Sequence, residues 1–270
     1  MSDAPTSASV PMTYARYLAL DQLLACQHPQ SGTDDEMLFI VIHQTKELWL
    51  GQMIRELRLA LSEVRGDALV PAYKALARVS RIQAVMTLSW DVLATMTPSD
   101  YTRFREGLGP SSGFQSDQFR TVEYLLGLKD AKFIAFQHDR PEARAALEAA
   151  LHAPSLWDES IAAAARAGLA IAPEVLGREV TQPYTPHQSV EAAFLKVYQH
   201  PTRYWDLYQL AEKLVDLDDA MATWRHKHVL TVERVIGGKR GTGGTAGVSY
   251  LHTTLGKRAF PELWSLRTAL

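Results

Sequence analysis

Three stretches of this chain carry side chains at spacings that could do chemistry. The first covers residues 224–245, WRHKHVLTVERVIGGKRGTGGT. Its first half continues a helical pattern that begins near Pro201. Its second half, residues 237–244, is too dense in glycine to stay helical, and such a loop lets backbone approach a ligand closely. His226 and His228 lie two apart, so a helix points them to nearly opposite sides, and they cannot share a metal as an i, i+4 pair would. His228 aligns with Leu214, Met221 and Val232 and faces the core; His226 points elsewhere. A histidine on an apolar face is either a hydrogen-bonded core residue or a single axial ligand to iron. A histidine helix running into a dibasic glycine loop suits a pocket for something planar and something anionic.

The second stretch is the run MLFIVIHQTKELW. His43 follows Phe39 by four residues and shares its face, with Glu47 one turn further on. Either His43 is a buried histidine bonded to Glu47 or a neighbouring helix, or it is a polar group lowered into an apolar pocket to meet a ligand. The third is Tyr101 and Arg105, an i, i+4 pair on a short helix over residues 98–106, followed by the loop GLGPSSGFQS (107–116). A phenol and a guanidinium beside hydroxyls and free N–H groups make an anion clamp, since arginine grips a carboxylate with two prongs. The alternative is a surface tyrosine–arginine stack.

The elements that must position these groups read as helices. Residues 1–12 are small, polar and Pro-containing, and form a flexible N-terminal segment. Tyr14, Tyr17, Leu18, Leu20 and Leu24 give a helix over residues 14–25, ending at Ala25. Thr33 and Glu36 read as a capping box that opens a helix over about 34–64, with MLFIVI buried all round. Further helical patterns cover about 70–96, 117–126, 141–152, 190–200 and 202–236, the last reaching roughly 50 Å at the helical rise if unbroken. Ser155 and Asp158 read as a second capping box, for a helix ending at Gly168. Residues 169–188 form a connector, and a short helix lies around 248–255. Alternating β-branched runs bounded by turns are almost absent. The fold class is therefore all-α, a bundle of long antiparallel helices in a single domain over residues 13–270, with polar stripes that also favour packing between subunits.

Composition narrows the function. The chain has 270 residues, 47% hydrophobic and 21% charged, as in a globular protein with a sizeable core. Its net charge of −2 gives no electrostatic case for nucleic acid or an anionic membrane. A single cysteine, Cys26, excludes intramolecular disulfides and fits a reducing, cytoplasmic location. The start lacks a signal-peptide pattern, and no apolar run approaches the roughly 20 residues of a membrane span. Dinucleotide, P-loop, zincin and nucleophile-elbow motifs are missing; GTGGTAG follows a helix rather than a strand.

Together, FxxxHQTxELW from Phe39, YxxFR from Tyr101, GPSSGFQS from Gly109 and KRGTGG from Lys239 resemble the tryptophan 2,3-dioxygenase family, in order and spacing, from about Tyr14 to the C-terminus. The resemblance implies an all-α, homotetrameric enzyme with one haem b per subunit. Such an enzyme inserts both atoms of O2 across the indole C2–C3 bond of L-tryptophan to give N-formyl-L-kynurenine, the first step of tryptophan catabolism by the kynurenine route. It implies that His228 is the axial haem ligand, in a pocket between helices, with Ser112 and Gly113 lining the haem. His43 is then the distal histidine that meets the indole N–H, and Phe39 a wall of the indole pocket. Tyr101 and Arg105 hold the carboxylate, and Thr242 helps fix the amino-acid head. Tyr14, Tyr17 and Leu18 belong to a helix covering a neighbouring subunit's site in an intertwined oligomer. The departures are Ile42 where a polar residue is common, Thr245-Ala246 where Ser-Ser is frequent, and a short stretch between His28 and Asp34. Two rival readings remain: a non-enzymatic helical haem sensor or carrier, and a related haem enzyme acting on another indole.

That chemistry makes demands on the residues. His43 must be neutral with a free lone pair to accept from the indole N–H, which positions the ring rather than deprotonating it. His228 must be neutral, with an acceptor for its other nitrogen that the sequence does not identify.

Overall fold

In a computed structural model of the chain, residues 11–244 and 247–270 are described. Residues 1–10, most of the expected flexible segment, and the departure at Thr245-Ala246 lie outside them. The elements run α1 (Tyr14–Tyr17), α2 (Leu20–Leu23), α3 (Asp34–Arg65), α4 (Leu69–Leu93), α5 (Pro98–Arg105), α6 (Asp117–Leu126), α7 (Pro141–His152), α8 (Leu156–Arg166), α9 (Pro173–Leu176), α10 (Gln188–Gln199), α11 (Trp205–Ile236), α12 (Val248–Thr253) and α13 (Pro261–Ser265). Short 3-10 turns occupy Glu106–Leu108, Gly113–Gln115, Ala131–Gln137 and Leu266–Ala269. There is no strand among the described residues, so the all-α expectation holds.

The scaffold is a layer of three long helices. Gly66 to Ala68 join α3 to α4 by a turn too short for anything but an antiparallel hairpin. Helices α3 and α11 both pack along α4, which makes the most extensive pairings of the three. Leu57, Leu76, Val79, Leu210 and Leu214 fill the shared core. Helix α5 closes one end by touching both α3 and α11. It starts with Pro98 behind a reciprocal Thr97–Asp100 cap, so its register is fixed from its first turn. The C-terminal tail is fastened by buried Asp218 of α11, which accepts from the N–H groups of Ala259 and Phe260 and from Trp264 Nε1.

Several local expectations change. The helix expected over residues 14–25 is broken at Ala19, whose left-handed φ of 49° separates α1 from α2. Thr33 makes no side-chain cap; the Glu36 carboxylate turns back to the N–H groups of Gln30 and Ser31 and to the Ser31 hydroxyl. The 155/158 box is present as read. The expected connector 169–188 contains the single turn α9, and α11 starts at Trp205 because residues 202–204 form a turn. The run MLFIVI is not buried all round: Ile42 is buried, but Met37 and Val41 are exposed. This end of α3 projects beyond the cover that α4 supplies.

The N-terminal segment is tied where α3 carries His43. Gln44, the next residue, donates to the carbonyl of Cys26 at 2.9 Å and accepts from Gln27 at 2.7 Å. Beyond that tie, Tyr14, Tyr17 and Leu24 are more than 70% exposed.

Candidate functional site

His43 sits on α3 with Nδ1 at 2.7 Å from the Phe39 carbonyl. A carbonyl only accepts, so Nδ1 carries the proton and Nε2 keeps its lone pair. The Phe39 ring lies 4.1 Å from the imidazole, and it also meets Tyr101 and Phe104 at 6.2 and 5.6 Å. Burial, helped by the positive Lys46, lowers the His43 pKa to about 4, so the ring is neutral at physiological pH. Glu47, the partner considered from sequence, instead accepts from Gln118 Nε2 at 2.8 Å.

His228 sits on α11 and points inward, whereas His226 is exposed and bonds the Ala222 carbonyl at 3.0 Å, which is the two-sided split that their spacing required. The His228 ring stacks on Trp90 of α4 at 4.5 Å and 11°, with Trp224 tilted against it at 5.2 Å. Burial lowers its pKa to about 3, with Lys46 and His43 adding to the shift. It makes no hydrogen bond to another described side chain. Both imidazoles lie deep, yet each residue keeps some accessible surface.

The second wall is built from the two glycine-rich loops. Arg105 Nη2 donates to the Arg240 carbonyl at 2.5 Å, and its buried Nε has no partner among the described residues. Tyr101, one turn earlier, is raised in pKa by burial, and the Arg105 charge beside it works in the opposite direction. The Thr242 hydroxyl donates to the Ser111 carbonyl at 2.6 Å. Gly243 is pressed against Ser112 so closely that a Cβ there would lie 2.6 Å from the serine Cβ and Oγ. Ser112 itself caps the Gly113–Gln115 turn reciprocally with Gln115. Loop 107–116 and loop 237–244 are thus one unit, and Arg105 is fixed to it.

All eight residues singled out from sequence fall in these two linked groups. Phe39, His43, Tyr101 and the Trp90–Trp224–His228 set share one apolar cluster with Ile42, Leu93, Met96 and Phe104. Three residues were not anticipated: Trp90, Trp224 and Lys46. Lys46 is buried, and its Nζ lies 3.0 Å from the Trp90 ring centroid. The available signal for Lys46 was its position three residues beyond His43, which puts both on one side of the helix. Among the described residues, no group of three His, Cys, Asp or Glu side chains is arranged to hold a bare metal ion, and no helix is long and apolar enough to cross a membrane.

Comparison with known proteins bears on this arrangement. A family model described as tryptophan 2,3-dioxygenase matches residues 2–270. The chain is similar to the tryptophan 2,3-dioxygenase of Caulobacter vibrioides, 66% identical over 259 residues that span 96% of this chain and 98% of that protein. It is 54% identical over 268 residues to tryptophan 2,3-dioxygenase 1 of Ralstonia nicotianae, covering 99% and 91% of the two chains. The corresponding protein of Bacillus cereus is 53% identical over 259 residues, 96% and 93% of the two chains.

Proposed function

The chain belongs to the tryptophan 2,3-dioxygenase family, and we propose that it uses one haem b per subunit to convert L-tryptophan and O2 into N-formyl-L-kynurenine. It is an oxidoreductase of the dioxygenase class, acting on tryptophan. The observation that carries the finer reading is the pair of deep, neutral imidazoles, His43 on α3 and His228 on α11, joined to one aromatic cluster.

The residues present suit haem. His228 is neutral, as a ligand must be, and its ring is offered without a protein hydrogen-bond partner. The Nζ of Lys46 and the Nε1 atoms of Trp90 and Trp224 are buried donors with no described acceptor, which suits a guest that brings acceptors. His228 would hold the haem iron, and Ser112 and Gly113 would line the macrocycle. Ferrous haem, when bound, supplies the activation of O2 that amino-acid side chains cannot.

The chain's own part is to bind and orient tryptophan. His43 Nε2 accepts from the indole N–H, the single polar atom of that ring, and so sets its tilt; Phe39 supplies the wall. The Arg105 guanidinium, anchored through Arg240, presents its unpartnered Nε side to the carboxylate with the Tyr101 hydroxyl beside it. The Thr242 hydroxyl spends its proton on Ser111, so its remaining capacity is to accept, which matches the substrate ammonium. The apolar surround keeps water from competing for these contacts.

The same proposal takes the enzyme to be a cytoplasmic homotetramer. Tyr14, Tyr17 and Leu18 lie beyond the tie at Gln44 with exposed side chains, and Met37 and Val41 of α3 are exposed too. A neighbouring subunit would cover both.

The test is reduction of haem-loaded protein under O2 with L-tryptophan, watching for N-formylkynurenine absorbance. Turnover is expected in the wild type and absent in His228→Ala, which loses haem. A coloured protein with a Soret band and no turnover would establish the carrier reading instead.

A further inference from the structure

Lys46 is the side chain near the two imidazoles that the reading above leaves without a role. It lies one turn beyond His43 on α3 and is only 6% exposed. Its Nζ is buried without an acceptor among the described residues and sits 3.0 Å from the Trp90 ring centroid. Trp90 in turn stacks on His228. Lys46 thus follows His43 by three on one helix and touches the ring that stacks on His228, so it adjoins both imidazoles.

A buried ammonium is tolerated when something answers its charge. The Trp90 ring face answers part of it. No carboxylate among the described residues does: Lys46 Nζ has no ion-pair partner, burial lowers its pKa to about 7, and Glu47, next in sequence, is engaged by Gln118. The two neighbouring indole N–H groups are buried donors without a partner as well, so three unanswered donors gather beside the His228 ring. Such a cluster is built to receive an anion from outside the chain.

Two carboxylate sources enter this pocket in the proposed reaction, the side-chain acids of haem and the acid of tryptophan. Arg105, fixed to the Arg240 carbonyl on the loop wall, already stands for the second. Lys46 instead touches the indole that packs on the ligating imidazole. Resting on the haem reading above, we propose that Lys46 is a cofactor-binding residue whose ammonium pairs with a carboxylate of the porphyrin, with the indole N–H groups of Trp90 and Trp224 as neighbouring donors.

The test compares release of haem and of haem dimethyl ester from loaded protein to an excess of a haem-scavenging globin. The wild type is expected to release the ester about tenfold faster than haem, as loss of a charge-assisted bond implies. Lys46→Met is expected to release haem about tenfold faster than the wild type does, to release the ester at the wild-type rate, and so to lose the preference. Lys46→Arg is expected to keep it. If Lys46→Met does not fold, Lys46→Gln carries the same comparison. The proposal is overturned if the preference survives in the variant. It is also overturned if both porphyrins leave faster to the same extent, which is a packing effect. A third overturning result is unchanged haem release with weaker binding of L-tryptophan but not of tryptamine, which assigns the lysine to the substrate acid. Failure of the parent reading is seen separately: wild-type protein then shows no Soret band, or His228→Ala retains it.

Discussion

The Nδ1 of His43 donates to the carbonyl of Phe39, one turn earlier on the same helix, at 2.7 Å. This bond fixes the tautomer, so Nε2 can accept and cannot donate. A methyl group on the indole nitrogen should therefore be rejected by the wild type. His43→Ala is expected to keep its haem and to lower kcat/KM for L-tryptophan about fivefold to tenfold, the size of one lost hydrogen bond. Its discrimination against 1-methyl-L-tryptophan should shrink in parallel. Steady-state kinetics on both substrates checks this, and undiminished discrimination would remove His43 from the indole nitrogen.

Arg105 reaches the loop through Nη2 and leaves Nε for the substrate. Lysine's three donors radiate from one nitrogen, so it cannot reproduce the two separate positions that Nη2 and Nε occupy. Arg105→Lys is expected to raise KM for L-tryptophan by about tenfold or more, with little effect on tryptamine, which has no carboxylate. Equal changes for the two compounds would mean that the arginine only shapes the pocket.

Gly243 has room for no side chain, since its Cβ would collide with Ser112. Gly243→Ala should spread the two loops and weaken L-tryptophan binding, while the melting temperature moves little because the loops are at the surface. Pairing it with Ser112→Gly removes the obstructing atoms and should restore most of the affinity. A double variant no better than the single would place the fault elsewhere.

Acid should weaken the haem-free fold through the two imidazoles. Both have lowered pKa values when folded, about 4 for His43 and about 3 for His228, against 6.5 for an ordinary histidine. Their contribution is full above pH 6.5, and falls as the unfolded chain takes up protons that the folded chain refuses. The loss approaches about 1.4 kcal/mol per pH unit for each histidine. It runs down to about pH 4 for His43 and about pH 3 for His228. Denaturant titrations between pH 6.5 and 5 should give a shallower slope for His43→Gln than for the wild type. Parallel slopes would show that His43 titrates alike folded and unfolded.

Much of this was legible in the sequence because it depends on local periodicity. The three long helices follow from long amphipathic runs, broken by no more than Gly51 in α3 and Pro71 in the first turn of α4, and the outward His226 and inward His228 follow from a spacing of two. The Ser155–Asp158 cap was readable for the same reason. What escaped depends on partners distant in the chain. Glu36 was drawn from Thr33 to Ser31 by the shape of the preceding loop. The break at Ala19 has no residue signature, since alanine seldom takes a left-handed φ. Trp90 reads as one more apolar position of its helix, and only the packing of α4 beside α11 turns it into a neighbour of His228. The tie from Arg105 to Arg240 crosses 135 positions of sequence and ends on a carbonyl, which no side-chain pattern announces.

Helices α3 and α11 each pack along α4, and α4 supplies Trp90, which meets the Lys46 ammonium of one and the His228 ring of the other. The spacing between the walls that carry the two imidazoles is therefore set in part by a third element that contributes neither. Substitutions along α4 adjust that spacing, and with it which flat guests are admitted, while every residue that would grip them stays as it was.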